Sequence, residues 1–124
     1  MRIAVAGAGG RMGRALIEAI GAETDLTLAA ALDTAGSPAV GQELGGTRVV
    51  SDIAAAVSAC DVLIDFTRPD GTLRHLEACL AKGRALVIGT TGFSPAQIAT
   101  IGAAGKRIPI VMSPNFAVGV NVLF

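Results

Sequence analysis

Apolar positions along this chain fall into short runs separated by stretches of helical spacing. Arg2 to Ala6 reads as a first strand. Gly10 to Ile20 follows as a helix, with Met12, Ala15, Leu16, Ala19 and Ile20 on one face. Leu26 to Leu32 is a second apolar run, and Thr34 to Gly46, rich in Gly, Pro and Ser, reads as a loop. Thr47 to Val50 forms a short extra strand, and Ser51-Asp52 opens a helix through about Ser58, with Ser51 as its N-cap. Val62 to Phe66 is the third main strand. A helix from Asp70 or Thr72 ends near Gly83, and Ala85 to Ile88 is the fourth strand. Ser94-Pro95 supplies the cap and first residue of a helix that fades by Gly105. Ile108 to Met112 is the fifth strand, and a last segment runs from about Asn115 to Phe124.

Short apolar strands alternating with helices predict parallel strands buried on both faces. The fold class is therefore α/β: a Rossmann-like, doubly wound parallel sheet in a single domain, residues 1–124. Ligands of such sheets bind beyond the carboxyl ends of the strands. Five turns should converge there: Gly7 to Gly10, Asp33-Thr34, Phe66 to Pro69, Gly89 to Gly92, and Ser113 to Phe116. The apolar finish, Val118 to Phe124, predicts that the chain breaks off ahead of a second domain.

The first turn carries the most chemistry. Gly7-Ala8-Gly9-Gly10-Arg11-Met12-Gly13 joins the first strand to the first helix, and Gly7, Gly10 and Gly13 fit a G-x-x-G-x-x-G frame. In that frame Gly7 makes the turn, Gly10 admits a pyrophosphate to the helix start, and Gly13 lets the helix pack on the sheet. The N–H groups of Gly9 to Met12 are expected to face phosphate oxygens, with Arg11 adding a charged contact. Asp33, ending the second strand, is expected to hold the adenosine ribose. Its carboxylate repels a 2′-phosphate and so favours NADH, although Arg11 or Arg14 could reach such a phosphate.

The other turns supply the rest of the expected cofactor site. Phe66 and Thr67 line the channel, while Asp65 is structural and Arg68 is solvent-facing or anchors the turn. Gly89 lets backbone approach a flat ring, and Thr90 and Thr91 offer hydroxyls. Ser113, Pro114, Asn115 and Phe116 suit the nicotinamide end. His75 is expected to be solvated on an exposed helix face. With one His, no Ser/His/Asp or Cys/His set can be assembled, and no metal-ligand cluster is present in the sequence.

Composition narrows the class further. The formal net charge is zero, which argues against a nucleic-acid partner. No apolar run approaches the roughly 18 residues of a membrane span. With four Phe, no Trp and no Tyr, the core must be built from Ala, Val, Ile and Leu. Cys60 and Cys79 read as buried free thiols, which suits a reducing, cytoplasmic location.

The glycine loop, Asp65-Phe66-Thr67-Arg68-Pro69, Gly89-Thr90-Thr91-Gly92-Phe93 and Asn115 to Asn121 together resemble the bacterial dihydrodipicolinate reductase family, in order and spacing, over essentially the whole chain. The resemblance implies NADH- or NADPH-dependent reduction of 4-hydroxy-tetrahydrodipicolinate, in lysine and diaminopimelate biosynthesis. It implies pyrophosphate binding at Gly7 to Met12 and ribose binding at Asp33. Gly89, Thr90, Thr91 and Ser113 to Phe116 fall at the nicotinamide end. Thr34 stands where some relatives carry an Arg suited to a 2′-phosphate, which favours NADH or dual use. The resemblance places the catalytic and substrate-binding segment, and the contacts of a homotetramer, in a second domain beyond Phe124. This chain is then the cofactor half and inactive alone, with no catalytic residue of its own. Two alternatives stay open: another two-domain amino- or imino-acid dehydrogenase, and a non-catalytic nucleotide- or CoA-binding module.

Overall fold

A computed structural model describes residues 1–115 and 120–123, with side chains through residue 112. The elements in chain order are β1 (Arg2–Ala6), α1 (Arg11–Gly21), β2 (Thr27–Leu32), β3 (Glu43–Leu44), β4 (Thr47–Val50) and α2 (Ile53–Ala59). They continue with β5 (Val62–Asp65), α3 (Pro69–Lys82), β6 (Ala85–Ile88), α4 (Pro95–Ala104), β7 (Ile110–Asn115) and β8 (Val120–Leu123).

The strands form one sheet in the order β3-β4-β2-β1-β5-β6-β7-β8. The six inner strands, from β4 to β7, pair in parallel, and only the two edge pairs, β3 with β4 and β7 with β8, are antiparallel. The doubly wound expectation holds. Alternation along β1 divides the core. Ala4 and Ala6 face α2, α3 and α4, burying Val57, Leu76 and Ile101 among others. Ile3 and Val5 face the side where Ile17 and Ile20 of α1 pack. Aromatic rings contribute little, as the composition required.

The chain runs from β1 to β2 on one side and returns across to β5 on the other, so strand order reverses at β1. That reversal opens a crevice at the carboxyl ends of β2, β1 and β5.

Local chemistry moved several predicted boundaries. Gly45 and Gly46 have positive φ and turn a small hairpin, so β3 lies inside the stretch expected to be a loop. Asp52, not Ser51, caps α2, its Oδ1 accepting from the Ala55 N–H at 3.1 Å. α3 starts at Pro69, which needs no N–H partner in a first turn. Ser94 and Gln97 form a reciprocal capping box at α4. β5 stops at Asp65. β7 starts at Ile110 and runs on to Asn115, because β8 pairs with it. Ser113 to Asn115 therefore continue a strand where a turn was expected.

Candidate functional site

The site is built from the end of β1 outward. Gly7 has φ +82°, and a Cβ there would sit 2.7 Å from the Phe66 carbonyl oxygen. Only glycine makes this turn without strain. The N–H groups of Gly7 and Ala8 both donate to the Leu32 carbonyl, at 2.9 and 3.0 Å. The Gly10 N–H donates to the Gly7 carbonyl at 3.0 Å and closes the loop. The first bond of α1 is Arg14 N–H to the Gly10 carbonyl. A Cβ on Gly13 would overlap the Gly7 carbonyl and lie 2.9 Å from the Ala8 Cα. The role read for Gly13, close packing of helix on sheet, follows directly.

The donors left over differ from those expected. The N–H of Gly9 donates to Asp33 Oδ2 at 2.9 Å, and that of Gly10 is spent within the loop. Among the described residues, the N–H groups of Arg11, Met12 and Gly13 take no partner. Gly10 caps α1 without a side-chain bond, and the first turn carries no acid. The open, positive end of the helix is thus at residues 11–13, not 9–12. Ala8 is fully buried, its N–H is turned to the Leu32 carbonyl, and it lines neither hollow described below, against its expected place at the pyrophosphate.

Asp33 leaves β2 half-buried, with its carboxylate turned to the glycine loop. Its Oδ1 accepts from the Thr34 N–H at 2.8 Å while Oδ2 holds Gly9. A carboxylate offers about four acceptor sites. Two are occupied here, leaving two for a ligand.

Two hollows flank the loop. The larger, about 810 Å3, lies over β2 and β5 and is walled by Gly7, Gly10, Asp33, Thr34, Phe66 and Thr67. The smaller, about 330 Å3, lies toward β6 and is walled by Arg11, Met12, Gly13, Gly89, Thr90 and Thr91, with Gly7, Gly10, Phe66 and Thr67 shared between the two. Four of the five predicted turns therefore meet. The side chains of the fifth, Ser113, Pro114, Asn115 and Phe116, lie outside the described residues.

Sequence reasoning missed part of the larger wall. Ser51, Ile53, Arg68, Asp70, Gly71, Arg74 and His75 line it. Arg68 is exposed, as expected, but faces the cleft. The two arginines considered for a 2′-phosphate are elsewhere: Arg14 Nε donates to the Gly9 carbonyl at 3.1 Å, and Arg11 lines the smaller hollow.

His75 is the clearest correction. It is buried, and its Nδ1 lies 2.7 Å from Oδ2 of the fully buried Asp65. A carboxylate only accepts, so Nδ1 carries the hydrogen. Asp65 Oδ1 also accepts from the N–H and hydroxyl of Thr67, at 2.9 and 2.6 Å. Asp65 is structural, as read, and His75 is its partner rather than a solvated side chain. The signal available was Asp65 itself: an acid inside an apolar strand needs a polar partner, and His75 supplies it from α3.

Thr90 is buried and receives a hydrogen bond from Thr72 at 2.9 Å. Cys60 and Cys79 are buried free thiols, and burial pushes Cys79 up to about 12. No group of three or more His, Cys, Asp or Glu among the described residues could hold a metal. No helix among them is long and apolar enough to cross a membrane.

A reversal of strand order with a glycine turn, an open helix end and a carboxylate at the neighbouring strand defines a Rossmann-type domain. The chain belongs to the dihydrodipicolinate reductase family, whose N-terminal model, described as "Dihydrodipicolinate reductase, N-terminus", matches residues 1–116. It is 54% identical to the 4-hydroxy-tetrahydrodipicolinate reductase of Burkholderia pseudomallei (strain 668), over 98% of this chain and 49% of that protein. The same enzyme of Herminiimonas arsenicoxydans is also 54% identical, over 98% of this chain and 48% of the relative. Among solved structures, the dipicolinate-bound dihydrodipicolinate reductase of Paenisporosarcina sp. TG-14 superposes with a TM-score of 0.79 at 26% identity. The match covers 96% of this chain and 49% of that one. The chain spans about half the length of the curated relatives it matches.

Proposed function

We propose that residues 1–124 are the dinucleotide-binding half of a 4-hydroxy-tetrahydrodipicolinate reductase, binding NADH or NADPH. The observation that carries this is the pairing of three unspent N–H groups, at Arg11 to Gly13, with two unspent acceptor sites on Asp33. The first set suits a diphosphate and the second the two hydroxyls of a ribose. The larger hollow takes the adenosine and the smaller takes the ring, with Phe66, Thr67, Gly89 and Thr91 around it. Ser113 to Phe116 complete the ring end in this proposal.

The bound cofactor supplies the hydride, and this chain's residues hold and orient it. In this reading the substrate domain, the catalytic residues and the contacts of a homotetramer lie in the half of the family protein that this chain does not span. Two buried thiols suit a reducing compartment, and we place the protein in the cytoplasm. Asp33 and Thr34 favour NADH. Arg68 and Arg74 in the same wall bring positive charge to that hollow, which keeps NADPH in play.

Isothermal titration of the chain with NADH, NADPH and CoA tests the assignment. Binding of either dinucleotide, with CoA at least tenfold weaker, is expected. CoA binding as tightly as NADH would sink it and favour the CoA-module alternative. Steady-state reduction by the chain should be negligible beside the full-length Burkholderia pseudomallei enzyme. Comparable turnover would refute the division of labour between domains.

A further inference from the structure

His75 is buried, its side chain 8% exposed, yet it is one of the residues that wall the larger hollow. Its Nδ1 is held 2.7 Å from Asp65 Oδ2 and carries the hydrogen of that bond. A neutral imidazole has one such hydrogen, so Nε2 is a bare acceptor. The carboxylate that fixes this tautomer from behind is fully buried. His75 makes no bond through Nε2, while no fully enclosed side-chain nitrogen or oxygen among the described residues lacks a partner. Nε2 is therefore open, and what it opens on is the larger hollow. Gly71 lies on the same wall and keeps that approach clear. Even a Cβ there would come within 3.9 Å of His75 Cε1, the ring atom next to Nε2.

An acceptor so nearly enclosed pairs well with a donor of the ligand and badly with another acceptor, because the mismatch leaves both unpaired. The adenosine proposed for this hollow directs its ribose hydroxyls to Asp33. That residue ends β2, across β1 from β5 and α3. On the base, the ring nitrogens accept, and the 6-amino group is the one donor.

We infer that His75 reads the base: Nε2 accepts from the 6-amino group and makes the larger hollow selective for adenine over a 6-oxopurine. His75 is then a specificity-determining residue in contact with the cofactor. Asp65, which fixes its tautomer, and Gly71, which leaves it uncovered, are positioning residues. The inference rests on the dinucleotide reading above and adds to it the identity of the base.

The probes are NADH and reduced nicotinamide hypoxanthine dinucleotide, in which a 6-oxo group, with a hydrogen on N1, replaces the 6-amino group. Both are titrated at about pH 8, above the usual histidine range, into the wild-type chain and His75→Asn. Asn keeps a donor for Asp65 near the place of Nδ1 and removes Nε2, and urea unfolding verifies that the variant is folded. Wild type should bind NADH at least about tenfold more tightly than the hypoxanthine analogue. His75→Asn should bring the two within about threefold, chiefly by weakening NADH. Equal affinities in wild type, or an undiminished preference in folded His75→Asn, would overturn the inference. The chain has one histidine, so long-range proton–nitrogen NMR of the wild type gives a second test that needs no variant. It should show hydrogen on Nδ1 alone, and the Nε2 signal should move with ADP and much less with its hypoxanthine counterpart. Hydrogen on Nε2, or equal movement with both nucleotides, would overturn the inference alone. Wild-type chain that binds neither dinucleotide would overturn the dinucleotide reading, and the inference with it.

Discussion

Asp33 clamps the glycine loop in this structure and, in the function proposed, also holds a ribose, so replacing it by Ala should remove both roles. In the free protein its oxygens hold the Gly9 and Thr34 N–H groups at 2.9 and 2.8 Å. Hydrogen bonds to a charged group contribute about 1.5–3 kcal/mol each. Asp33 is half-buried, and water can reach part of what is freed, so the two together should contribute about 2–3 kcal/mol. With a urea slope of about 1–3 kcal/mol per M for a small protein, the unfolding midpoint should fall by roughly 1–2 M. The second loss appears on binding. Two ribose contacts of similar strength, discounted in the same way, correspond to a roughly 30- to 150-fold weaker affinity for NADH. Reduced nicotinamide mononucleotide has no adenosine ribose. It should lose less than tenfold, through loosening of the glycine loop alone. Urea unfolding and paired titrations with the two ligands read these effects separately. An unchanged midpoint would refute the clamp, and equal loss for both ligands would refute the ribose contact.

Other substitutions separate stability from binding. Gly13→Ala gains helix propensity of about 1 kcal/mol but forces α1 off the β1 turn, since its Cβ meets only backbone. Overpacking costs typically about 1–3 kcal/mol, so the thermal midpoint should fall, and a rise would contradict the packing. His75→Leu leaves Asp65 buried with Thr67 alone, and leaving a buried hydrogen-bonding group without its partner costs about 1–3 kcal/mol. A urea midpoint within experimental error of wild type would mean that Asp65 does not depend on His75. Cys79, pushed up to about 12 from 9.0 by burial, stays protonated in the folded chain while the unfolded chain ionises. Stability should therefore be fully present below pH 9 and fall as pH rises from there toward 12, and Cys79→Ala should flatten that decline. Native protein should also resist aromatic disulfide reagents until unfolded, and rapid labelling at neutral pH would argue against the burial.

The strand-helix order was legible because β1, β2, β5 and β6 are short, largely apolar runs set between turn and capping residues. Gly13 and Ser94 could be read from local pattern because local geometry decides them. What escaped depended on contacts between distant segments. β3 exists because Gly45-Gly46 fold Glu43 back onto Arg48, and β7 extends because β8 lies against it. His75 was misread because periodicity along α3 does not record that β5 ends beside it with a buried acid. Ala8 looked like part of a binding loop in one dimension, but its N–H turns to Leu32 and its side chain into the core. Arg68 and Arg74 reach the larger hollow only because α3 starts at its rim.

The glycine loop itself contributes few donors to a ligand. Gly7, Ala8 and Gly9 direct their N–H to β2 or the residue that follows it, two of them to one carbonyl, and Gly10 directs its own to Gly7 within the loop. The loop is therefore built before any cofactor arrives, and binding need not order it. The donors that remain are at Arg11 to Gly13, where helix geometry leaves N–H groups without an intrahelical partner. In the function proposed, affinity for a diphosphate resides in the start of α1, and the glycines act by bringing that helix end against the sheet. It follows that changes within residues 7–10 should act first on stability and only through it on binding. Changes that block the amides of residues 11 or 12, such as Met12→Pro, should weaken dinucleotide binding while the urea midpoint moves little. A proline there is compatible with a first helical turn, so the two effects can be measured apart on one folded protein.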